Sequence, residues 1–276
     1  MIPMRRARIR FILEPEAKKM KKMLTLLLTA SLALTAAGCF PFGSIIGRGP
    51  VETKAFNLSG FSRVEVSSTF EAEISRGSAF SVTVTTNENI FEYLDLEVNG
   101  DTLQVRLKSG SYTVANLEAS ITMPDLNALE VSSASEASVS GFNFNHDLDL
   151  KVSGASSITL ADFRSGNVYI EASGASRVKG SLECVDARLN ISGASNADLS
   201  GLGRNLEVTA SGASHVTLRD FTGTDVKVNF SGASSGTVNA SGRLDVQLSG
   251  ASSLRYFGNP AIGDVNVTGG SSFSKG

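Results

Sequence analysis

Leu206-Glu-Val-Thr-Ala-Ser-Gly-Ala-Ser-His-Val-Thr-Leu218 holds two signals at once: apolar and polar residues alternate on both sides of the tetrapeptide Ser211-Gly-Ala-Ser214. Alternation with a period of two marks a strand with one buried face. The small polar tetrapeptide interrupts it and reads as a corner. The same tetrapeptide begins at Ser153, Ser173, Ser192, Ser231 and Ser249, with degenerate copies at Ser132-Ser-Ala-Ser135 and Thr268-Gly-Gly-Ser271. Successive copies are 21, 20, 19, 19, 20, 18 and 19 residues apart. A period of this size belongs to stacked repeats, in which each unit buries its apolar face only against its neighbours.

Outward from the corner the pattern holds along the chain. Before it, apolar residues stand at every second position: Leu148, Leu150 and Val152; Val168, Ile170 and Ala172; Val226, Val228 and Phe230; Leu244, Val246 and Leu248. After it, Ile158 and Leu160, Val178, Val216 and Leu218, and Leu254 and Tyr256 are expected to face inward, followed by a third inward position at Phe163, Leu182, Leu202, Phe221 and Phe257. Three inward segments per repeat describe one triangular coil, and no segment has helical periodicity. The expected fold is all-β, a right-handed parallel β-helix of about 19-residue coils, because the step varies whereas left-handed β-helices keep a hexapeptide phase. With coils about 4.8 Å apart, the last roughly 220 residues suffice for about eleven of them.

The corner residues have a structural explanation. Glycine can take positive φ or let the next coil approach, a methyl is what fits beside it, and serine hydroxyls can bond turn amides or form a ladder. As nucleophiles those serines need a base, and the only candidate beside any of them is His215, adjacent to Ser214. A structural ladder is the expectation.

Residues 53–131 keep the alternation without the clean tetrapeptide, whereas residues 132–276 carry the regular repeats. Asn99-Gly-Asp101 between two alternating runs is a hairpin signal, so this part is expected to contain an antiparallel pair. The order Phe61-Ser-Arg-Val-Glu-Val66, Phe70-Glu-Ala-Glu-Ile-Ser-Arg-Gly77, Ser81-Val-Thr-Val84, Leu103-Gln-Val-Arg-Leu107 and Ile121-Thr-Met-Pro-Asp-Leu126, followed by stacked Ser-Gly-Ala-Ser corners, resembles the bacterial head GIN domain family of auto-transporter adhesins. The resemblance spans residues 53–272. It implies a right-handed β-helix, export to the cell envelope and an adhesive role, with no catalytic motif to carry over.

The amino terminus reads as an address. Lys21-Lys22 precede an apolar run, Leu24 to Leu34, that ends in Ala36-Ala-Gly-Cys39. This has the length and flanks of a signal peptide and is too short for a comfortable membrane span. Small residues directly before a cysteine resemble the lipobox of bacterial lipoproteins, which implies cleavage before Cys39 and a lipid on its thiol. Residues 1–38 are therefore expected to be removed, with 1–19 a candidate upstream mis-start ahead of Met20. Residues 39–52 would be the lipidated cysteine and a Gly/Pro tether, and the expected location is the outer membrane. With Cys39 acylated, Cys184 has no disulfide partner.

Composition narrows the function. The 276 residues carry a net charge of -2, but residues 1–38 hold eight of the 25 basic residues and two of the 27 acidic ones. The body is therefore left with 17 basic and 25 acidic residues, a net -8. Such a body does not build the positive stripe that nucleic acid requires. Two histidines and two cysteines offer no metal motif, and no cofactor motif is present.

The expected function is a non-enzymatic, lipid-anchored envelope module that recognises a glycan or a surface protein along one side of the solenoid. Candidate contacts are outward residues after the corners: Arg177, Lys179, Asn196, Asp198, His215, Thr217 and Arg255. One alternative is a carbohydrate-active β-helix enzyme, which needs clustered carboxylates on neighbouring coils. In the column four residues before each corner, Asp149, Tyr169, Arg188, Glu207, Lys227, Asp245 and Asp264, only the last two form a like-charged pair. The other alternative is a structural protein, with self-association through a carboxyl-terminal coil that has no capping helix.

Overall fold

The structure, a computed structural model, describes residues 43–276, and residues 45–276 form one compact unit. It is a β-solenoid of about seven turns preceded by less regular strands. Each coil has three sides. On the first, the strands Leu148–Val152, Val168–Ala172 and Asp186–Ile191 pair in parallel, and the stack continues through the end of Asn196–Ala210 to Arg243–Leu248 and Ala261–Val267. On the second side, Ser157–Arg164, Arg177–Glu183 and the start of Asn196–Ala210 do the same, out to Ser253–Gly258 and Ser272–Lys275. The third is a narrow ladder in which Phe163 pairs with Leu182, Leu182 with Gly201 and Gly201 with Phe221.

This register stacks each inward residue on its counterpart. Leu150, Ile170, Leu189, Val208, Val228 and Val246 form one buried column, and Val152, Ala172, Ile191, Ala210, Phe230 and Leu248 another. Burying a Val, Leu or Ile side chain stabilises by about 1.5–3 kcal/mol, so the columns are the main source of stability. Size is balanced across columns. Phe230 fills the space that Gly236 leaves, since a Cβ on Gly236 would lie 3.1 Å from its ring.

Each of the three bends in the coil is made differently. At the serine corner, each glycine carbonyl accepts the amide of the alanine one coil on: Ala175 to Gly154, Ala194 to Gly174, Ala213 to Gly193 and Ala233 to Gly212, each at 2.7 Å. The last serine of each copy points inward, and Ser176, Ser195, Ser214, Ser234 and Ser252 are all buried. Ser176 Oγ lies 3.2 Å from Ser195 Oγ, while Ser214 and Ser234 turn back to donate to Ser211 O and Ser231 O at 2.7 and 2.8 Å. The alanine methyls are exposed, which corrects the expectation that space limits that position. Alanine there continues the chain past a glycine whose φ is positive, with its side chain in solvent.

The second bend is a β-bulge between Leu160 and Phe163 against Gly180 and Leu182, with Ser181 Oγ accepting the Asp162 amide at 3.1 Å. Here Gly201 pairs with Leu182 and Phe221 in the position expected of Leu202, because Asn196–Ala210 lacks the extra residue of the bulge; glycine is required there, since at φ +126° a Cβ would stand 2.0 Å from Leu182 O. Leu202 is displaced outward and is 54% exposed. At the third bend, an aspartate on every second coil caps the coil that follows it. Asp147 Oδ1 accepts the Asn167 amide and side chain at 3.1 and 3.0 Å, Asp186 Oδ1 those of Asn205 at 3.3 and 2.9 Å, and Asp225 Oδ1 the Arg243 amide at 2.9 Å.

The amino-terminal coils are threaded out of sequence. Arg63–Val66 lies between Thr102–Leu107 and Ala128–Val131, and Glu71–Arg76 between Leu117–Met123 and Glu136–Ser140, all parallel. The coil formed last in this region is thus the outermost. Beyond it the stack is closed by antiparallel strands. Leu94–Asn99 pairs with Thr102–Leu107 as the expected hairpin, Ser81–Asn87 pairs with Leu117–Met123, and Val51–Phe56 lies on Ser81–Asn87. These closing strands and the Glu88–Tyr93 3-10 helix use residues that the estimate of eleven coils assigned to the stack.

Candidate functional site

The second side carries the residues expected to make contacts. Arg177, Asn196 and His215 are successive rungs of one column, and Lys179, Asp198 and Thr217 of the next. Arg255 follows in that second column beyond Thr237. All seven therefore share one face, with Asn196 and Thr217 half-buried and the others exposed. A depression of about 550 Å³ at the bulge corner draws in Lys179, Asp198 and Thr217 together with Asp162 and Asp220. His215 Nδ1 lies 2.8 Å from Ser235 Oγ on the next coil, not from Ser214, whose hydroxyl is directed to the Ser211 carbonyl. The neighbouring serine and the base thus do not form a nucleophile pair.

The first side is hollowed as well, and sequence reasoning did not single it out for binding. Three hollows of about 110, 230 and 390 Å³ follow one another along it. Adjacent hollows share walls: Asp149 and Lys151 line the first two, Tyr169 and Arg188 the second and third. Together they form one groove along the stacking direction. Its floor is the outward column Asp149, Tyr169, Arg188, Glu207, Lys227 and Asp245. Its wall is the capping column Asn167, Asp186, Asn205 and Asp225. That wall was missed although its signal is simple, since each member stands six residues before a serine corner. Alternation between Asp and Asn concealed it.

The charges of the groove are matched in place. Arg188 Nε donates to Glu207 at 2.9 Å, and Lys227 Nζ lies 3.7 Å from the same carboxylate. Arg204 donates to both oxygens of Asp186 at 3.2 Å each. Arg243 lies 2.7 Å from Asp245 and 3.3 Å from Asp264, so it bridges the one like-charged pair in the column. The guanidinium groups of Arg204 and Arg243 hold Asp186 and Asp245 below the usual carboxylate range. A glycosidase acid needs the opposite shift, because it must keep its proton near neutrality.

Two other groups stand apart from the groove. Burial pushes the Cys184 thiol up to about 12, which removes the thiolate a nucleophile requires. His146 bridges the chain just after the amino-terminal coils, with Nε2 2.7 Å from Asp125 Oδ1, Nδ1 2.9 Å from Asp147 O and its ring stacked 3.9 Å from that of Phe144. Among the described residues, no group of three or more His, Cys, Asp or Glu side chains is placed to hold a metal ion. Cys39 and the leader lie outside the described residues.

Residues 60–260 match the family model described as "Putative auto-transporter adhesin, head GIN domain". No curated protein matches the chain. Solved structures share its fold at low identity. A protein titled "putative adhesin" from Parabacteroides distasonis is 17% identical with a TM-score of 0.79, covering 84% of this chain and 100% of its own. Another with that title, from Parabacteroides merdae, is 15% identical with a TM-score of 0.77, covering 84% and 98%. A "putative lipid binding protein" from Parabacteroides distasonis is 17% identical with a TM-score of 0.74, covering 84% and 99%.

Proposed function

The chain belongs to the head GIN domain family of auto-transporter adhesins, and from that premise we propose that it is a non-enzymatic binding module of the cell envelope. In this reading the leader directs export, Cys39 carries the lipid that holds the module to the outer membrane, and the solenoid presents a surface to a glycan or a surface protein. The observation that carries the proposal is the state of the polar groups on the groove side. Asp186, Glu207, Asp245 and Asp264 are each tied to Arg204, Arg188 or Arg243. Fixed, charge-matched side chains suit recognition, whereas general acid–base chemistry needs a group free to exchange a proton.

The test is direct binding of the whole purified chain to immobilised envelope fractions and host glycoproteins. Saturable binding to at least one is expected, and its absence from all of them contradicts the proposal. Anchoring is read separately: Cys39→Ser is expected to move the chain from the membrane fraction to the soluble one, and an unchanged distribution refutes the anchor.

Self-association through the last coil is a second reading that one observation favours. Ile262, Val265 and Val267 are 46%, 43% and 38% exposed, and Ala261–Val267 is paired on one edge only among the described strands. Exposed apolar side chains beside unpaired backbone groups favour pairing with a second copy. Sedimentation is expected to show a concentration-dependent dimer that Val265→Lys weakens; a monomer at all concentrations refutes it.

A further inference from the structure

We propose that the groove on the first side binds a neutral linear glycan lying along the stacking direction, with Tyr169 as its stacking platform. This deepens the reading of the chain as a binding module and rests on it, but it places the ligand on a different side from the residues that the sequence singled out.

Three observations meet there. First, Tyr169, at 42% exposure, is the only exposed aromatic residue among those described, and it stands where the second and third hollows join. An aromatic face held open to water is the usual partner of the C–H face of a sugar ring, and Tyr offers a polar tip as well. Second, the polar groups on either side are fixed before any ligand arrives. Arg188, Glu207 and Asp186 are oriented by the ion pairs described above, and the Asn205 side chain is bonded to Asp186 Oδ1 at 2.9 Å. Each carboxylate retains lone pairs that can accept sugar hydroxyls at little further cost in side-chain entropy.

Third, the rungs repeat. Side chains of the floor column recur once per coil, about 4.8 Å apart, so Tyr169 to Asp245 spans about 19 Å over four steps. A pyranose in an extended chain advances by close to one such step. An extended peptide does not match, because like-facing side chains recur at about 6.6 Å. The strands under the groove, from Leu148–Val152 to Arg243–Leu248, are each paired on both edges, so a peptide strand finds no edge to join within it. A polyanion is disfavoured because acids outnumber bases along the groove, and a polycation is kept as a contrary outcome of the test, although Asp149, Asp186, Glu207 and Asp245 already have Arg or Lys partners.

The test is calorimetry of the whole chain with neutral cello-, xylo-, manno- and chito-oligosaccharides of two to eight residues, alongside oligogalacturonate and oligolysine. At least one neutral series is expected to bind, with affinity rising with length until the groove is filled. Tyr169→Ala is expected to weaken it at least about tenfold, corresponding to about 1.4 kcal/mol, whereas Tyr169→Phe retains most of it. Arg177→Ala and Thr217→Ala on the second side are expected to leave it within about twofold. No neutral binding, binding to oligolysine or oligogalacturonate alone, or binding that Tyr169→Ala leaves intact overturns the proposal. If the chain still binds envelope fractions in any of those cases, the groove assignment fails while the reading as a binding module stands.

Discussion

The backbone amide of Ala194 donates to the Gly174 carbonyl at 2.7 Å, and a Cβ placed on Gly193 would stand 2.5 Å from that same oxygen. One carbonyl thus sets both the stacking bond of the serine corner and the size limit beside it. Gly193 also has φ +74°, the left-handed region that costs a residue with a Cβ roughly 1–2 kcal/mol. Gly193→Ala is therefore expected to destabilise by about 2 kcal/mol or more, from strain plus loss of close stacking. Denaturant melts of variant and parent measure it, and a change below about 0.5 kcal/mol contradicts this account of the corner.

The buried serines are not equivalent. Ser176 Oγ donates to Val152 O at 3.3 Å and lies 3.2 Å from Ser195 Oγ, whereas Ser135 Oγ is buried without a partner. A made hydrogen bond contributes about 1 kcal/mol, and an unmet polar atom is itself a cost. Ser176→Ala is expected to destabilise by about that amount, while Ser135→Ala is expected to be neutral or stabilising. Melts showing equal losses at both sites contradict the distinction.

His146 makes stability pH-dependent. Burial lowers its pKa, but the hydrogen bonds to Asp147 O and Asp125, together with both carboxylates, outweigh it and raise the pKa above its ordinary value. A group whose pKa is higher in the folded than in the unfolded state contributes stability that is full below the unfolded value, about 6.5, and is lost as pH rises through the folded value. The chain is therefore expected to melt at a lower temperature at pH 8 than at pH 6 by an amount that His146→Gln removes. A His146→Gln variant with the parent's pH difference argues against this assignment.

Cys184 is expected to be sluggish. With its thiol pushed up to about 12 by burial, reaction with an aromatic disulfide reagent at pH 8 should be at least about tenfold slower in the folded chain than in denaturant, where the thiol returns to its ordinary range. Equal rates contradict the half-buried placement of the thiol.

The serine corners and the inward columns were legible because each coil repeats the same residue types at the same offset, so Val152, Ala172 and Ile191 announce one buried column without a structure. The exchange of Gly201 for Leu202 was not legible. Ser157–Arg164 and His215–Phe230 carry one extra residue at the second bend that Arg177–Glu183 and Asn196–Ala210 lack, so a fixed offset from the serine corner misplaces the slot by one. The order of the amino-terminal coils was hidden for another reason. Nothing local to Arg63–Val66 says that it pairs with both Thr102–Leu107 and Ala128–Val131, contacts settled only by long-range packing. The sequence located the outward columns correctly but could not tell where along them the hollows lie. The hollow beside Tyr169 is lined by residues of several successive coils, and therefore exists only in the stacked arrangement.

The most direct test of recognition along the groove uses the four tyrosines of a chain without tryptophan. Nuclear magnetic resonance of the tyrosine-ring-labelled whole chain, titrated with the neutral oligosaccharide that binds most tightly, reports each ring separately. Tyr169 is assigned by the resonance lost in Tyr169→Phe. The account predicts a saturable shift of the Tyr169 ring with Tyr93, Tyr112 and Tyr256 unmoved. A Tyr169 ring that stays in place at saturating ligand contradicts it.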